Sequence, residues 1–110
     1  MESSYFLDRQ ACSRHTIFPG VDILTAAGKD MMISLVEMQP GAVVELHQHP
    51  HEQMGMLLEG ELEFTVGSEK KTLHAGDIWR IPGEIAHTCR AGSSGAKAID
   101  IFHPIREDYL

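Results

Sequence analysis

Between Gly41 and Gly60 the chain reads Gly-Ala-Val-Val-Glu-Leu-His47-Gln-His49-Pro-His51-Glu52-Gln53, and a further histidine, His87, lies far downstream. Two imidazoles two residues apart, a third from a distant segment and a nitrogen- or oxygen-bearing side chain between them compose a metal-binding set. On a β-strand successive side chains point to opposite faces, so His47 and His49 project together while Gln48 turns away. Two imidazoles aligned on a rigid strand need only one or two ligands from neighbouring strands to close a site. Glu52 replaces Gln53 in the set if the turn at Pro50 slips the register by one residue, and His51 is close enough in the same loop to join it.

The elements that must position these residues are short strands. Apolar alternation runs through 21–25, 31–36, 42–46, 54–58, 61–66, 71–74, 78–81, 87–89 and 96–102, with turn signals such as Pro40-Gly41, Glu59-Gly60, Gly67-Ser68, Ala75-Gly76, Pro82-Gly83 and Gly92-Ser93-Ser94-Gly95 between them. No stretch from Thr16 to Phe102 keeps a helical period for three turns. The pattern predicts an all-β fold, a small antiparallel barrel or jelly roll able to hold a ligand in its mouth.

The 110 residues suit a single domain, 1–110, and a composition of 43% hydrophobic and 23% charged residues is that of an ordinary globular protein. No apolar run approaches the ~20 residues that span a bilayer, and the start, Met-Glu-Ser-Ser-Tyr-Phe-Leu-Asp-Arg, has an early acid and too short an apolar stretch for a signal peptide, which predicts a cytoplasmic protein without membrane contact. Cys12 and Cys89 are expected as free thiols. A net charge of −7, with Lys70-Lys71 the longest basic run, argues against nucleic acid as a partner. A small anionic molecule stays compatible, because one or two cations inside a pocket outweigh a diffuse negative field.

Two segments carry a family resemblance. Gly41-x5-His47-x-His49-x3-Gln53-x6-Gly60 resembles the first signature of the cupins, and Gly76-x5-Pro82-x-Glu84-x2-His87 resembles the second; together they cover about half the chain. The chain departs from the usual pattern by Gln53 in place of Glu, Glu84 in place of Gly, and Ala91 where Asn is frequent. The resemblance implies a cupin-type double-stranded β-helix, a homodimer in which N-terminal strands (16–18 or 21–25) pair across subunits, and metal ligands His47, His49, Gln53 and His87. Such a set is uncharged, so a divalent ion keeps its formal +2 charge. Transition ions (nickel, zinc, iron, manganese or copper) suit it better than magnesium or calcium. A metal preferring five or six ligands keeps open positions for substrate.

The end of the chain, Ile99-Asp100-Ile-Phe102-His-Pro104-Ile-Arg106-Glu-Asp-Tyr-Leu110, supplies a second candidate group. Alternation places Asp100 and Phe102 on one face, opposite Ile99, Ile101 and His103. A carboxylate facing into a barrel is costly without a partner or a function. Arg106 is a candidate partner, and equally a planar fork for a substrate carboxylate; an Asp100–Arg106 ion pair would otherwise simply anchor the tail.

This tail is similar to that of small cupins of the KdgF type, which linearise 4,5-unsaturated monouronates released from pectin and alginate. That resemblance implies a sugar-acid substrate, with Asp100 shuttling a proton, Arg106 gripping the carboxylate and Phe102 shaping the wall. Three other functions share the same residues: a metal-dependent dioxygenase, an isomerase or epimerase of another sugar, and a non-catalytic sugar-binding cupin. His15, His74 and His103 read as ordinary histidines, Phe64 and Trp79 as packing residues, and Met31, Met32, Met54 and Met56 as core or pocket filler.

Overall fold

The structure, a computed structural model, describes residues 5–110; the stretch read for a signal peptide begins on residues 1–4, outside the described residues. Eight strands follow one another: β1 (Ser13–Phe18), β2 (Val21–Ala27), β3 (Met32–Met38), β4 (Val43–His47), β5 (Glu52–Val66), β6 (Glu69–His74), β7 (Ile78–Ile81) and β8 (His87–His103). Single 3-10 turns at Arg9–Ala11 and Glu107–Tyr109 are the only helical segments among the described residues. None is long and apolar enough to cross a membrane.

Two long strands build the barrel. The first part of β5, from Glu52 to Gly60, pairs with Ala96–His103 of β8, and its last part, from Leu62 to Val66, pairs with residues 87–91. Each long strand therefore serves two sheets. One runs β1-β2-β3-β8-β5-β7, the other β4-β8-β5-β6, and all pairings are antiparallel.

The segments around Glu59-Gly60 and Gly92–Gly95, expected to be turns, are bends within continuous strands, so four expected strands merge into two. The local signal resembled a turn because the bend needs glycine: Gly60 and Gly95 both have positive φ, and a Cβ on Gly60 would run into the Gly95 carbonyl.

Alternation assigns the faces. On β3, Met32, Ser34, Val36 and Met38 are buried, while Ile33 and Glu37 face out. On β5, Gln53, Gly55 and Leu57 point in, which turns Met54 and Met56 outward. Met54, Met56 and Met31 are therefore surface residues rather than core filler; only Met32 of the four is buried. Between the sheets lie Val21, Leu57, Leu62 and Ile81, each at 1% exposure or less, with Trp79 packed on Phe64 at 5.0 Å between ring centroids. Burying each aliphatic side chain contributes ~1.5–3 kcal/mol, which holds the two sheets rigidly around what lies at one end of the core. Both cysteines are unpaired.

Candidate metal centre

His47 ends β4 directly opposite His87, the first residue of β8, and their rings lie 4.3 Å apart. β4 stops there, so His49 is not on the strand with His47 as expected but in the following loop. Pro50 keeps the preceding residue out of helical conformation, and the loop is held by the Glu84 N–H, which donates to the His49 carbonyl at 2.7 Å. Glu84 reaches that bond with a φ of 66°, the left-handed region, at the position where the cupin pattern has glycine. The result brings all three rings together: one ligand atom from each of His47, His49 and His87 lies within 4.8 Å of the others, a group able to hold a metal ion.

Each imidazole is aimed by the backbone of its own segment. Nδ1 of His47 donates to the Glu45 carbonyl at 2.8 Å, that of His87 to Ile85 at 2.8 Å, and that of His49 to His51 at 3.1 Å. A carbonyl only accepts, so Nδ1 carries the proton and Nε2 keeps its lone pair. Nε2 of His87 is buried without a partner among the described residues. Burial lowers the pKa of His87 from 6.5 to about 4, with the neighbouring imidazoles adding to the effect. Burial, then the charge of Arg106, lowers that of His49 as well. Both shifts favour the neutral ring at His87 and His49, the form that binds metal.

Gln53 enters from β5, 6% exposed, with Oε1 at 3.1 Å from Nε2 of His49. Its Nε2 donates to Oδ1 of Asp100 at 2.9 Å, and the indole N–H of Trp79 donates to the same oxygen at 2.9 Å. Gln53 Oε1 and His49 Nε2 therefore present lone pairs to each other with no proton between, and the orphaned Nε2 of His87 adds a third. A divalent cation fits that set.

Asp100 and Phe102 share the inner face, as alternation predicts. Burial pushes the Asp100 carboxyl up from 3.8 to about 6, against the hydrogen bonds from Gln53 and Trp79 and the charge of Arg106, which hold it down. Phe102, 2% exposed, presents an edge-on contact to His49 with centroids 5.8 Å apart. Arg106 is buried too, but the expected ion pair with Asp100 is not what holds it. Its Nε and Nη2 donate to Asp108 at 3.3 and 2.8 Å, Nη1 donates to the Tyr109 hydroxyl at 2.9 Å, and the guanidinium lies 3.8 Å from the Tyr109 ring centroid. The 3-10 turn after Pro104 brings these local partners within reach, while Asp100 takes donors from across the barrel. Burial works against the Asp108 carboxylate, yet the hydrogen bonds and charge of Arg106 hold its pKa below the usual range.

A cavity of about 50 Å³ runs between the sheets, and His47, Gln53, His87, Asp100, Phe102 and Arg106 all line it. Glu52 is exposed and lies outside the histidine group; His51 is half-buried, its ring 5.4 Å from that of His49, and it too is outside the group. His74 faces Glu61 at the surface. Sequence reasoning missed Trp79 and Tyr109 as polar partners. The signal for Trp79 was Gly55, a glycine within a strand at an inward position, which marks a close approach above it. A Cβ at Gly55 would collide with the Trp79 indole and come within 2.5 Å of Asp100 Oδ1.

Three comparisons bear on this geometry. The Cupin domain family matches residues 34–102, more than half of the chain. The pectin degradation protein KdgF of Dickeya dadantii is 30% identical over 82 residues, 74% of each chain. Among solved structures, KdgF from Halomonas sp. superposes with a TM-score of 0.85 at 31% identity, covering 99% of this chain and 100% of that one. An RmlC-like cupin from Shewanella frigidimarina does so at 0.87 and 28%, covering 98% and 97%. With the jelly roll, the paired signatures and these relatives in agreement, the chain belongs to the cupin family and is similar to its KdgF members.

Proposed function

We propose that this cupin is a metal-dependent enzyme of pectin or related uronate breakdown that converts cyclic 4,5-unsaturated monouronates into their linear keto forms. The observation that carries the proposal is the bond between Asp100 and Gln53: a carboxyl titrating near neutrality, beside an uncharged candidate ligand, at the edge of a three-histidine cluster. His47, His49, Gln53 and His87 would hold a divalent transition ion (nickel, zinc, iron, manganese or copper), which when bound supplies Lewis-acid polarisation of sugar oxygens.

The chain's own residues supply the proton transfers. Both donors to Asp100 fall on Oδ1, which leaves Oδ2 without a protein donor among the described residues. In the proposed reaction Asp100 takes the proton of the anomeric hydroxyl as the ring C–O bond breaks and its electron pair leaves on the ring oxygen as an enolate, and Asp100 then returns that proton to the enolate carbon, giving the keto form. The product is an isomer of the substrate, so no co-reactant is needed. A group with a pKa of about 6 can give and accept protons in one cycle near neutral pH. Arg106 offers its charge to the uronate carboxylate by exchanging Asp108, whose side chain is 59% exposed and so held by a weak, solvent-screened pair. Phe102 packs against the sugar ring and keeps water from the reacting atoms.

The test is incubation of metal-loaded protein with lyase-generated unsaturated monouronates, followed by proton NMR. The vinyl signal of the ring form should decay faster with protein than without, and the Asp100→Asn variant should slow that decay ~100-fold or more. Ligand-induced thermal stabilisation with no turnover would assign a binding role instead, and oxygen uptake with Fe²⁺ would assign a dioxygenase.

The chain is further proposed to be one cupin domain, 1–110, working in the cytoplasm as a homodimer. The unpaired cysteines support a reducing compartment. The outer face of the first sheet supports the dimer: Ile33, Ile101 and Met54 stand in one cross-strand row and Leu35, Ile99, Met56 and Ile78 in the next, a partly exposed apolar face suited to a second copy. β1 pairs with β2 of its own chain and is an edge strand, which leaves its other side for a partner strand. Light scattering on Ile101→Lys should give a monomer; a wild-type protein that is itself monomeric sinks the dimer.

A further inference from the structure

We propose that Trp79 and Asp100 act as a relay that fixes which end of the Gln53 amide faces the metal site, making Trp79 a positioning residue for metal binding. The proposal rests on the metal assignment of the site and not on the uronate reaction.

A glutamine is an ambiguous ligand. Its amide carries an oxygen acceptor and a nitrogen donor of nearly equal size on one carbon, and a half-turn about the last side-chain bond exchanges them. Only the oxygen has a lone pair for a cation. Something must therefore prevent the half-turn, and the groups around Gln53 do so in sequence. Oδ1 of Asp100 lies 2.9 Å from Gln53 Nε2, and a carboxylate oxygen there accepts the amide N–H, so Oε1 is turned toward His49 Nε2 at 3.1 Å. Trp79 Nε1 is a donor and never an acceptor, and at 2.9 Å it holds the same Asp100 oxygen in place. The indole itself is 8% exposed and packed on Phe64, so its orientation is set by the hydrophobic core.

Gly55 completes the device. In the ladder it stands opposite Asp100 on one side and opposite Trp79 on the other. Having no side chain, it leaves the space above β5 in which the indole and the carboxylate meet. Rigid core packing is thereby transmitted through two hydrogen bonds to the orientation of a neutral ligand. A glutamate at position 53 would need no such control, because its two oxygens are equivalent.

The experiment measures Ni²⁺ affinity of the purified full-length chain by isothermal titration, with the visible absorption of the Co²⁺-loaded protein as a second readout of the ligand set. Trp79→Phe keeps an aromatic ring in the core and removes only the N–H. It should weaken Ni²⁺ binding ~10-fold, and Asp100→Leu, which removes the acceptor that both Trp79 and Gln53 use and so frees the amide to turn, ~10- to 100-fold with an altered Co²⁺ spectrum. Adding Gln53→Glu to Asp100→Leu should restore binding to within about threefold of wild type, because the two carboxylate oxygens are equivalent and either can face the metal. That rescue also decides the matter should Trp79→Phe fail to fold, since a merely structural Asp100 would not be rescued by a change of ligand. Wild-type affinity in both folded single variants, or no recovery in the double variant, overturns the relay while the metal site stands. A wild-type chain that binds neither ion overturns the metal assignment and the relay with it.

Discussion

On the histidine wall of the cavity each ring is aimed by a carbonyl two residues away in its own segment, whereas on the opposite wall Asp100 is held by Trp79, 21 residues distant, and by Gln53, 47 distant. The first wall is assembled from local backbone, so each imidazole keeps its direction independently of the others. The second is assembled from side chains on three strands, so a change at any of them reaches the rest. Three rings that are independently aimed and one carboxyl that is collectively held make a site with a robust half and a coupled half. The coupled half reaches the core through Trp79, which packs on Phe64, and inherits its precision from that packing.

The contrast can be broken by substitution. The largest effect is expected from His87→Ala, which removes an orphaned Nε2 from the cluster: Ni²⁺ affinity should fall by more than ~100-fold in a titration, while the proton signals of His47 and His49 stay near their wild-type positions. Large movement of those signals would show that the histidine wall is coupled after all. Next comes Gly55→Ala, which places a methyl against the Trp79 indole and Asp100 Oδ1; a urea melt should lose ~1–3 kcal/mol. An unchanged midpoint would mean that the second wall yields easily.

A pH titration separates the walls by sign. His87, lowered from 6.5 to about 4 by burial, is protonated first in the unfolded chain, so its contribution is lost as pH falls from about 6.5 toward 4. Asp100, raised from 3.8 to about 6 by burial, is protonated first in the folded chain, so its contribution grows over about 6 to 3.8. The two oppose each other. Metal-free Asp100→Asn should therefore lose melting temperature more steeply than wild type between about pH 6 and 4, and parallel curves would refute the opposition. The smallest effect is expected at Glu84→Gly, which relieves a φ of 66° in the loop that braces His49 and should raise stability by up to ~1 kcal/mol in the same melt. A loss would indicate that the Glu84 side chain holds the loop by contacts of its own.

How much of this was legible follows the same division. The histidine cluster could be read from its residue types and the two signatures that carry them, although the two-residue spacing was taken for strand alternation and His49 lies in the loop after β4. That Asp100 and Phe102 share one face followed from alternation alone. The partners of Asp100 did not, because nothing in one strand states which residues of two other strands stand above it, and Arg106, the candidate partner offered beyond Pro104, is held by Asp108 and Tyr109 instead. Trp79 carried a core signature that concealed its N–H. The long strands were divided in two because a bend and a turn make the same demand for glycine, and only the cross-strand register tells them apart.

The bend in β8 has a bearing on how this pocket can diversify. His87 lies on one side of it and Asp100 and Phe102 on the other, so the stretch from Ala91 to Ala96 acts as a ruler between the two walls. Adding a single residue there would exchange inward for outward positions downstream, sending Ile99 and Ile101 inside and Asp100 out. Length variation must fall instead in peripheral turns such as Gly67-Ser68, and new specificities in this scaffold are to be sought by exchanging side chains at fixed positions rather than by inserting chain.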